Sequence, residues 1–332
     1  MRWTRAVLLP GRLQLCTTAG RDGARAARLL YRPRRRQRLG TVAMRASSLA
    51  ISRGLAPAAP TPLRDIDDLF EVIGFRPTGA AAIRSATKNR LVVALVDDDR
   101  GLIAKVGSSE DVGLRSELAM LQHLRGPVGP ILVPTVIWHG NWRDRFAVAT
   151  EAFVETGGYW EIDVEEALMI CNALVNSGGE VGPLVHGDFA PWNVVRTDHG
   201  VALLDWEEGS ESFAPLFDLS HFVVAAGALL RRYTPPQAVA MLVARGSLGW
   251  RHLEQVRLDP HRAAELVADW LVWPSKHIRA TYQFRRSMLD ELRVVLPADR
   301  IESARTLAGE LADPAALLTL SINRRAPSMN VR

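Results

Sequence analysis

The sequence predicts a two-lobed α+β fold: a small antiparallel sheet with one helix, followed by a mainly helical half. Three observations carry this. Between Leu91 and Phe153, apolar β-branched runs and turn residues follow the order strand, strand, helix, strand, strand. The composition changes after Phe153. From Leu216 onward the pattern is helical, punctuated by Pro235, Pro236, Gly246, Pro260, Pro274, Pro297 and Pro314.

The elements follow in order. Pro62–Ile73 places Leu63, Ile66, Leu69, Phe70 and Ile73 on one helical face. Leu91–Val96 and Leu102–Val106 read as a hairpin around the turn Asp97–Gly101. Ser108 or Ser109 caps a helix reaching about Leu124, with Glu110 and Asp111 near its positive end. Ile131–Trp138 and Phe146–Phe153 are two more strands, joined through Gly140–Asp144. Asp163 caps a helix running to about Asn176. A short hairpin pairs Val194–Arg196 with Val201–Leu204 around Thr197–Gly200. The expected boundaries are an extension over 1–61, a small lobe over 62–153 and a large lobe over 154–325.

The formal net charge of +5 conceals a strong asymmetry. Residues 1–60 hold thirteen Arg, no Lys and one Asp, about +12, so the remainder sums to about −7. The first stretch is Arg-rich and acid-poor, without a sustained period. It reads as a disordered extension. A transit peptide, an anion-binding or nucleic-acid-binding tail, or a true start at Met44 are the other readings. Cys16 and Cys171 are the only cysteines, which argues against a disulfide framework and fits a cytoplasmic setting. No apolar run reaches the roughly 18–20 residues that span a bilayer. The eight histidines show no metal-ligand spacing, so zinc is not implied.

The chemistry concentrates in His186-Gly187-Asp188-Phe189-Ala190-Pro191-Trp192-Asn193 and Leu203-Leu204-Asp205-Trp206-Glu207. An Asp five residues before an Asn, then a second Asp ending an apolar strand, is the set that metal-dependent phosphoryl transfer needs. One carboxylate contacts the attacking hydroxyl. An amide oxygen and the other carboxylate suit magnesium, a hard ion that prefers oxygen ligands.

These two segments resemble the catalytic and metal loops of the aminoglycoside phosphotransferase and choline kinase group, small-molecule kinases of protein-kinase-like fold. The motifs span residues 186–218, with weaker agreement from about 64 to about 320. The resemblance implies ATP or GTP with Mg2+, and transfer of the γ-phosphate to a hydroxyl of a sugar, aminoglycoside, amino alcohol or related metabolite. Asp188 is then catalytic, and Asn193 and Asp205 hold the metal. Lys105, late in the second strand, reaches the nucleotide phosphates, and Glu117 in the next helix pairs with it. Glu151 and Phe153 lie in the segment that binds the adenine edge. His186 braces the loop, and Asp218 ties it together from a helix start.

Other positions carry less. Between Phe75 and Arg90, where a phosphate-covering loop belongs, Gly79 is the only glycine, and Ser85 or Thr87 stand as phosphate contacts. Glu207, Glu208 and Glu211 read as a solvated loop or a face for a cationic substrate. Trp270, Trp273, Tyr282 and Phe284 among Lys276, Arg279, Arg285 and Arg286 read as acceptor contacts or as core. Neither Asp-Phe-Gly nor Ala-Pro-Glu is present, which disfavours a protein acceptor. The alternatives are a kinase-fold nucleotide binder without turnover, a nucleic-acid-binding module using the basic tail, and a metal-dependent hydrolase.

Overall fold

The structure is a computed structural model. It describes residues 3–8, 14–18, 20–30, 53, 66–84, 89–154, 162–177, 183–212, 214–273 and 278–302. Two compact units emerge. The first is Met1–Gly126, Leu132–Glu161 and Val195–Glu207; the second is Pro127–Ile131, Ile162–Val194 and Glu208–Arg332.

The first unit is built on a sheet of seven strands, β1 (Trp3–Leu8), β2 (Gln14–Thr18), β3 (Gly79–Arg84), β4 (Leu91–Val96), β5 (Gly101–Ser108), β7 (Val136–Trp142) and β8 (Arg145–Glu151). Their spatial order is β1-β2-β3-β4-β5-β8-β7, and each described neighbouring pair is antiparallel. The two-residue β6 (Ile131–Leu132) precedes β7. Three helices belong here: α1 (Arg21–Leu30), α2 (Asp67–Ile73) and α3 (Val112–Leu124).

The central strands are buried on both faces, which is why β4 reads as an unbroken apolar run rather than an alternation. On one face, Ala80, Ala82, Val93, Leu95 and Ala104 pack with Leu69, Phe70 and Ile73 of α2. On the other, Ala81, Ala94 and Val96 meet Ala26 and Ala27 of α1. Leu114 of α3 packs on Phe146 and Val148. Asp111, not Ser108 or Ser109, caps α3, accepting the Leu114 N–H at 3.0 Å.

The N-terminal residues differ from the sequence expectation. Residues 3–30 contribute β1, β2 and α1 to the lobe. The reading of 1–61 as an extension overlooked them because α1 buries Gly23, Ala24, Ala26 and Ala27, small residues with little hydropathy contrast. β3 escaped for the same reason: Gly-Ala-Ala-Ala-Ile-Arg has weak strand propensity. Close packing demands those small residues. A Cβ on Gly79 would lie 2.2 Å from the Asp22 carbonyl carbon, and one on Gly23 1.9 Å from the Thr18 oxygen. The strand expected over Ile131–Trp138 is divided, with Pro134 in the gap. The expected Gly140–Asp144 loop is shorter: β7 continues to Trp142, and Arg143 turns the chain at φ 57.

The second unit is mainly helical. Its helices are α4 (Val164–Val175), α5 (Phe217–Val224), α6 (Pro235–Val243), α7 (Leu248–Gln255), α8 (Ala263–Leu271) and α9 (Ile278–Leu292). Capping boxes start α4 (Asp163 with Glu166) and α6 (Thr234 with Gln237). Every residue of α5 is buried. A π-helical turn, Ala225–Leu229, continues it and lets Phe284 approach Gly227, where a Cβ would lie 2.4 Å from the ring. β9 (Leu184–Val185) pairs antiparallel with β12 (Ser210–Glu211). β10 (Val194–Thr197) and β11 (Gly200–Leu203), neighbours in a separate small sheet, belong from Val195 onward to the first unit.

An antiparallel sheet lobe bearing one helix after its third central strand, then a largely helical lobe, is a protein-kinase-like fold. Among the described residues, no helix is long and apolar enough to cross a membrane. Cys16 and Cys171 are buried and form no disulfide.

Candidate functional site

In the first unit, the strand register places Lys105 of β5 opposite Val92 and Val148. Its ammonium donates to both Glu117 oxygens, at 2.6 and 2.8 Å, and to Asp205 Oδ1 at 3.0 Å. Three expected site residues, spread over a hundred positions, therefore form one ionic cluster. Burial opposes the charge on Lys105, but the Asp205 and Glu117 carboxylates outweigh it and raise its pKa. Burial pushes the Glu117 carboxyl up, against the pull of Lys105. Asp205 adopts φ 65, a left-handed backbone tolerated better by Asp than by most residues. It is followed by the fully buried Trp206, whose indole N–H donates to the Leu203 carbonyl at 2.9 Å and anchors the turn.

Arg90 belongs to the same structure. Its guanidinium binds both Asp111 oxygens and donates to Glu207 Oε2 at 2.6 Å, so it ties the start of α3 to the segment after Asp205. Gly113 leaves room for it, since a Cβ there would lie 2.6 Å from Arg90 Nη2. Glu207 is consequently a buried structural partner. It is neither a solvated loop residue nor a face for a cationic substrate, the two roles expected of the cluster Glu207, Glu208 and Glu211. A lone Arg before a strand carries no signature, because its partners lie 21 and 117 residues further along the chain.

In the second unit, His186, Asp188, Asn193 and Asp218 come together. Asp218, in the first turn of α5, accepts the backbone N–H of His186 at 2.7 Å and of Gly187 at 3.0 Å. Gly187 has φ 80, and a Cβ would lie 2.3 Å from the Glu208 carbonyl oxygen, so the turn admits only glycine without displacement. His186 is fully buried, and its Nδ1 accepts the Asp188 N–H at 3.3 Å, a bracing contact. Phe189 is also fully buried and stacks on Phe222, ring centroids 5.2 Å apart.

The side-chain nitrogen of Asn193 donates to the Asp188 carbonyl at 2.8 Å and to Asp188 Oδ2 at 3.0 Å. That orientation makes the amide oxygen the end suited to a cation. Asp188 Oδ1 lies 3.2 Å from His221 Nε2, and both side chains are buried. Sequence reasoning passed over His221 as one of the histidines without ligand spacing. Its only signal was a place one helical turn after Asp218.

Burial pushes the Asp218 carboxyl up to about 7, against the two N–H bonds it accepts and with the Asp188 carboxylate adding to the rise. Its ordinary value is 3.8. Between these values the folded chain holds a proton that the unfolded chain has released. Stability from this group is therefore complete below 3.8 and is lost as pH rises through about 7. Wild type should lose stability relative to Asp218→Asn across that window and run parallel to it above. Urea unfolding at stepped pH checks this; parallel curves throughout would reject it.

The remaining expected positions divide. Glu151 ends β8 opposite Leu102, its N–H bonded to the Thr135 carbonyl; Ala152 N–H bonds Gly101, and Phe153 follows the strand. Ser85, Thr87 and Lys276 lie outside the described residues, as does the Arg279 side chain. Trp270 is buried, and the Arg285 guanidinium stacks on it at 4.2 Å while donating to the carbonyls of Leu271 and Trp273. Arg285 is thus a core residue, its pKa lowered to about 9 by burial, and not an acceptor contact. Phe284 lines a separate open cavity of about 530 Å3 with Arg231, Arg232 and Tyr233.

Among the described residues, no group of three His, Cys, Asp or Glu side chains is placed to hold a metal. The Asp205 carboxylate in the first unit and the Asn193 amide oxygen in the second are each the kind of oxygen donor that magnesium, a hard ion, prefers.

No protein-family model and no curated protein matches the chain. Among solved structures it is similar to a thermostable mutant of aminoglycoside phosphotransferase APH(4)-Ia in ternary complex with ADP and hygromycin B: 14% identity, 75% of this chain and 97% of that one, TM-score 0.40. It is similar to WaaP in complex with acyl carrier protein, at 14% identity over 68% and 92%, TM-score 0.40. It is also similar to the bifunctional kinase-methyltransferase WbdD, at 17% identity over 60% and 47%, TM-score 0.36. At these values, roles rest on this chain's own residues.

Proposed function

We propose that the protein transfers the γ-phosphate of ATP or GTP to a hydroxyl of a small molecule. The observation that carries this reading is Lys105, held by Glu117 and by Asp205. A strand lysine fixed by a helix glutamate is the phosphate-positioning pair of kinase chemistry. Here it also touches the carboxylate that the motif assigns to metal.

In this reading Asp188 accepts a hydrogen bond from the acceptor hydroxyl and aims it at the phosphorus. Asn193 holds the Asp188 carboxylate in place through its amide nitrogen. Asn193 and Asp205 would hold magnesium, which neutralises charge developing on the phosphate oxygens. Lys105 offers its ammonium to the phosphates, and Glu151 and Phe153 border the base. The protein's contribution is mostly position and charge, as is general for phosphoryl transfer. A sugar, aminoglycoside, amino alcohol or related metabolite is the acceptor class.

The test is a panel of such hydroxyl compounds with γ-labelled ATP and GTP and Mg2+. We expect label in at least one acceptor, and none without divalent cation. Phosphate release at the same rate with and without every acceptor would replace this reading with a hydrolase. Nucleotide binding with no transfer or release would replace it with a kinase-fold binder.

A further inference from the structure

The first thirty residues bear on nucleotide access. Gly101, Ile103 and Lys105 alternate onto one face of β5. On that face Ala81, Ala94 and Ile103 form a row across three strands, each directly opposite the next. If Lys105 marks the phosphate end of a nucleotide and Glu151–Phe153 the base end, then Gly101 and Ile103 are the surface the base and ribose must cover. This step rests on the function proposed above.

That surface is already covered. Ala26 and Ala27 of α1 are buried against Ala81, Ala94 and Val96, and Leu29 and Leu30 pack into the same cluster as Ile103 and Ile83. A Cβ on Gly101 would sit 3.2 Å from Leu29 Cδ1 and 3.2 Å from the Ala152 Cβ, so Leu29 lies directly over Gly101. Polar contacts fix the N-terminal half of the helix. Thr17 Oγ1 donates to the Gly23 carbonyl at 2.7 Å, and Arg25 Nη1 donates to the carbonyls of Asp97 and Asp98 at 2.7 and 3.0 Å. The phosphate end is different, because Lys105 keeps its two carboxylate partners and 21% of its side-chain exposure.

We infer that α1 is a cap in cis over the base end of the nucleotide face, and that a nucleotide binds only when α1 leaves. Close-packed side chains and a purine cannot occupy one surface. Binding then draws on the uncapped fraction of molecules, and the apparent affinity falls by that fraction. Anything that weakens α1 packing tightens nucleotide binding without touching Lys105, Asp188, Asn193 or Asp205.

Full-length wild type, Ala26→Glu and Arg25→Ala are compared by titration with a fluorescent ADP analogue and Mg2+. Amide exchange over residues 21–30 is followed with and without the nucleotide. Ala26→Glu drives a carboxylate into the helix–sheet contact, and Kd should fall about tenfold or more. Arg25→Ala removes only the two carbonyl contacts and should shift Kd the same way by a smaller factor. Exchange over 21–30 should rise in wild type on saturation. Equal Kd in all three, with exchange unchanged by nucleotide, overturns the cap and leaves the nucleotide reading standing. Absence of nucleotide binding in every folded chain overturns both. Should Ala26→Glu fail to fold, Arg25→Ala and the wild-type exchange decide alone.

Discussion

Asp188→Ala should abolish phosphoryl transfer to within detection while leaving the protein folded. A loss of about a thousandfold or more in kcat, equivalent to about 4 kcal/mol of barrier, is the scale expected when the group that orients the attacking hydroxyl is removed. The fold should survive for a specific reason. Asn193 Nδ2 bonds the main-chain carbonyl of residue 188 as well as its carboxylate, so the loop keeps that tie. Asp218 still holds the amides of His186 and Gly187. Asp205 is better tested as Asp205→Asn than as alanine. Its backbone sits at φ 65, where a β-carbon without a polar tip costs about 1–2 kcal/mol, and Asn visits that region more readily. Initial rates with γ-labelled ATP, alongside thermal melts, give both readouts. Near-normal turnover in a folded Asp188→Ala would remove Asp188 from the reaction.

Much of this was legible in the sequence, for physical reasons that differ by element. The β4–β5 hairpin, α3, α4 and the loop from His186 to Asn193 carry strong local signals: apolar runs, caps, or a rigid spacing that chemistry imposes. β3 and α1 do not. Their packing depends on Gly23, Gly79 and a set of alanines, and closeness of two backbones leaves no hydrophobic pattern to read. Arg90 and His221 illustrate a second limit. Each acquires its role only through partners distant in sequence: Asp111 and Glu207 for one, Asp188 for the other. The aromatic and basic stretch of 270–286 shows a third. Composition alone cannot distinguish an arginine that awaits an anion from one stacked on Trp270 and bonded to two carbonyls, as Arg285 is.

Lys105 separates catalysis from stability in one measurement. Lys105→Met keeps the stem's apolar bulk and deletes the charge, leaving Glu117 buried with Asp205 and Glu207 nearby and no ammonium between them. Removing one partner of a buried pair costs about 3–5 kcal/mol, because the survivor keeps its desolvation penalty. The lower end applies here, since Lys105 retains 21% of its side-chain exposure. Glu117 should respond by holding a proton in the folded state. The variant's stability then declines further as pH rises above the ordinary carboxylate range, where the unfolded chain has released that proton. Adding Glu117→Met removes the stranded acid, so Lys105→Met/Glu117→Met should recover most of the lost stability. It should not recover phosphoryl transfer, because nothing then offers a cation to the phosphates. Urea unfolding and initial rates on wild type, both single variants and the double variant form a complete cycle. Wild-type stability in Lys105→Met would show that the ammonium offsets no buried charge. Transfer by the double variant would show that Lys105 binds no phosphate.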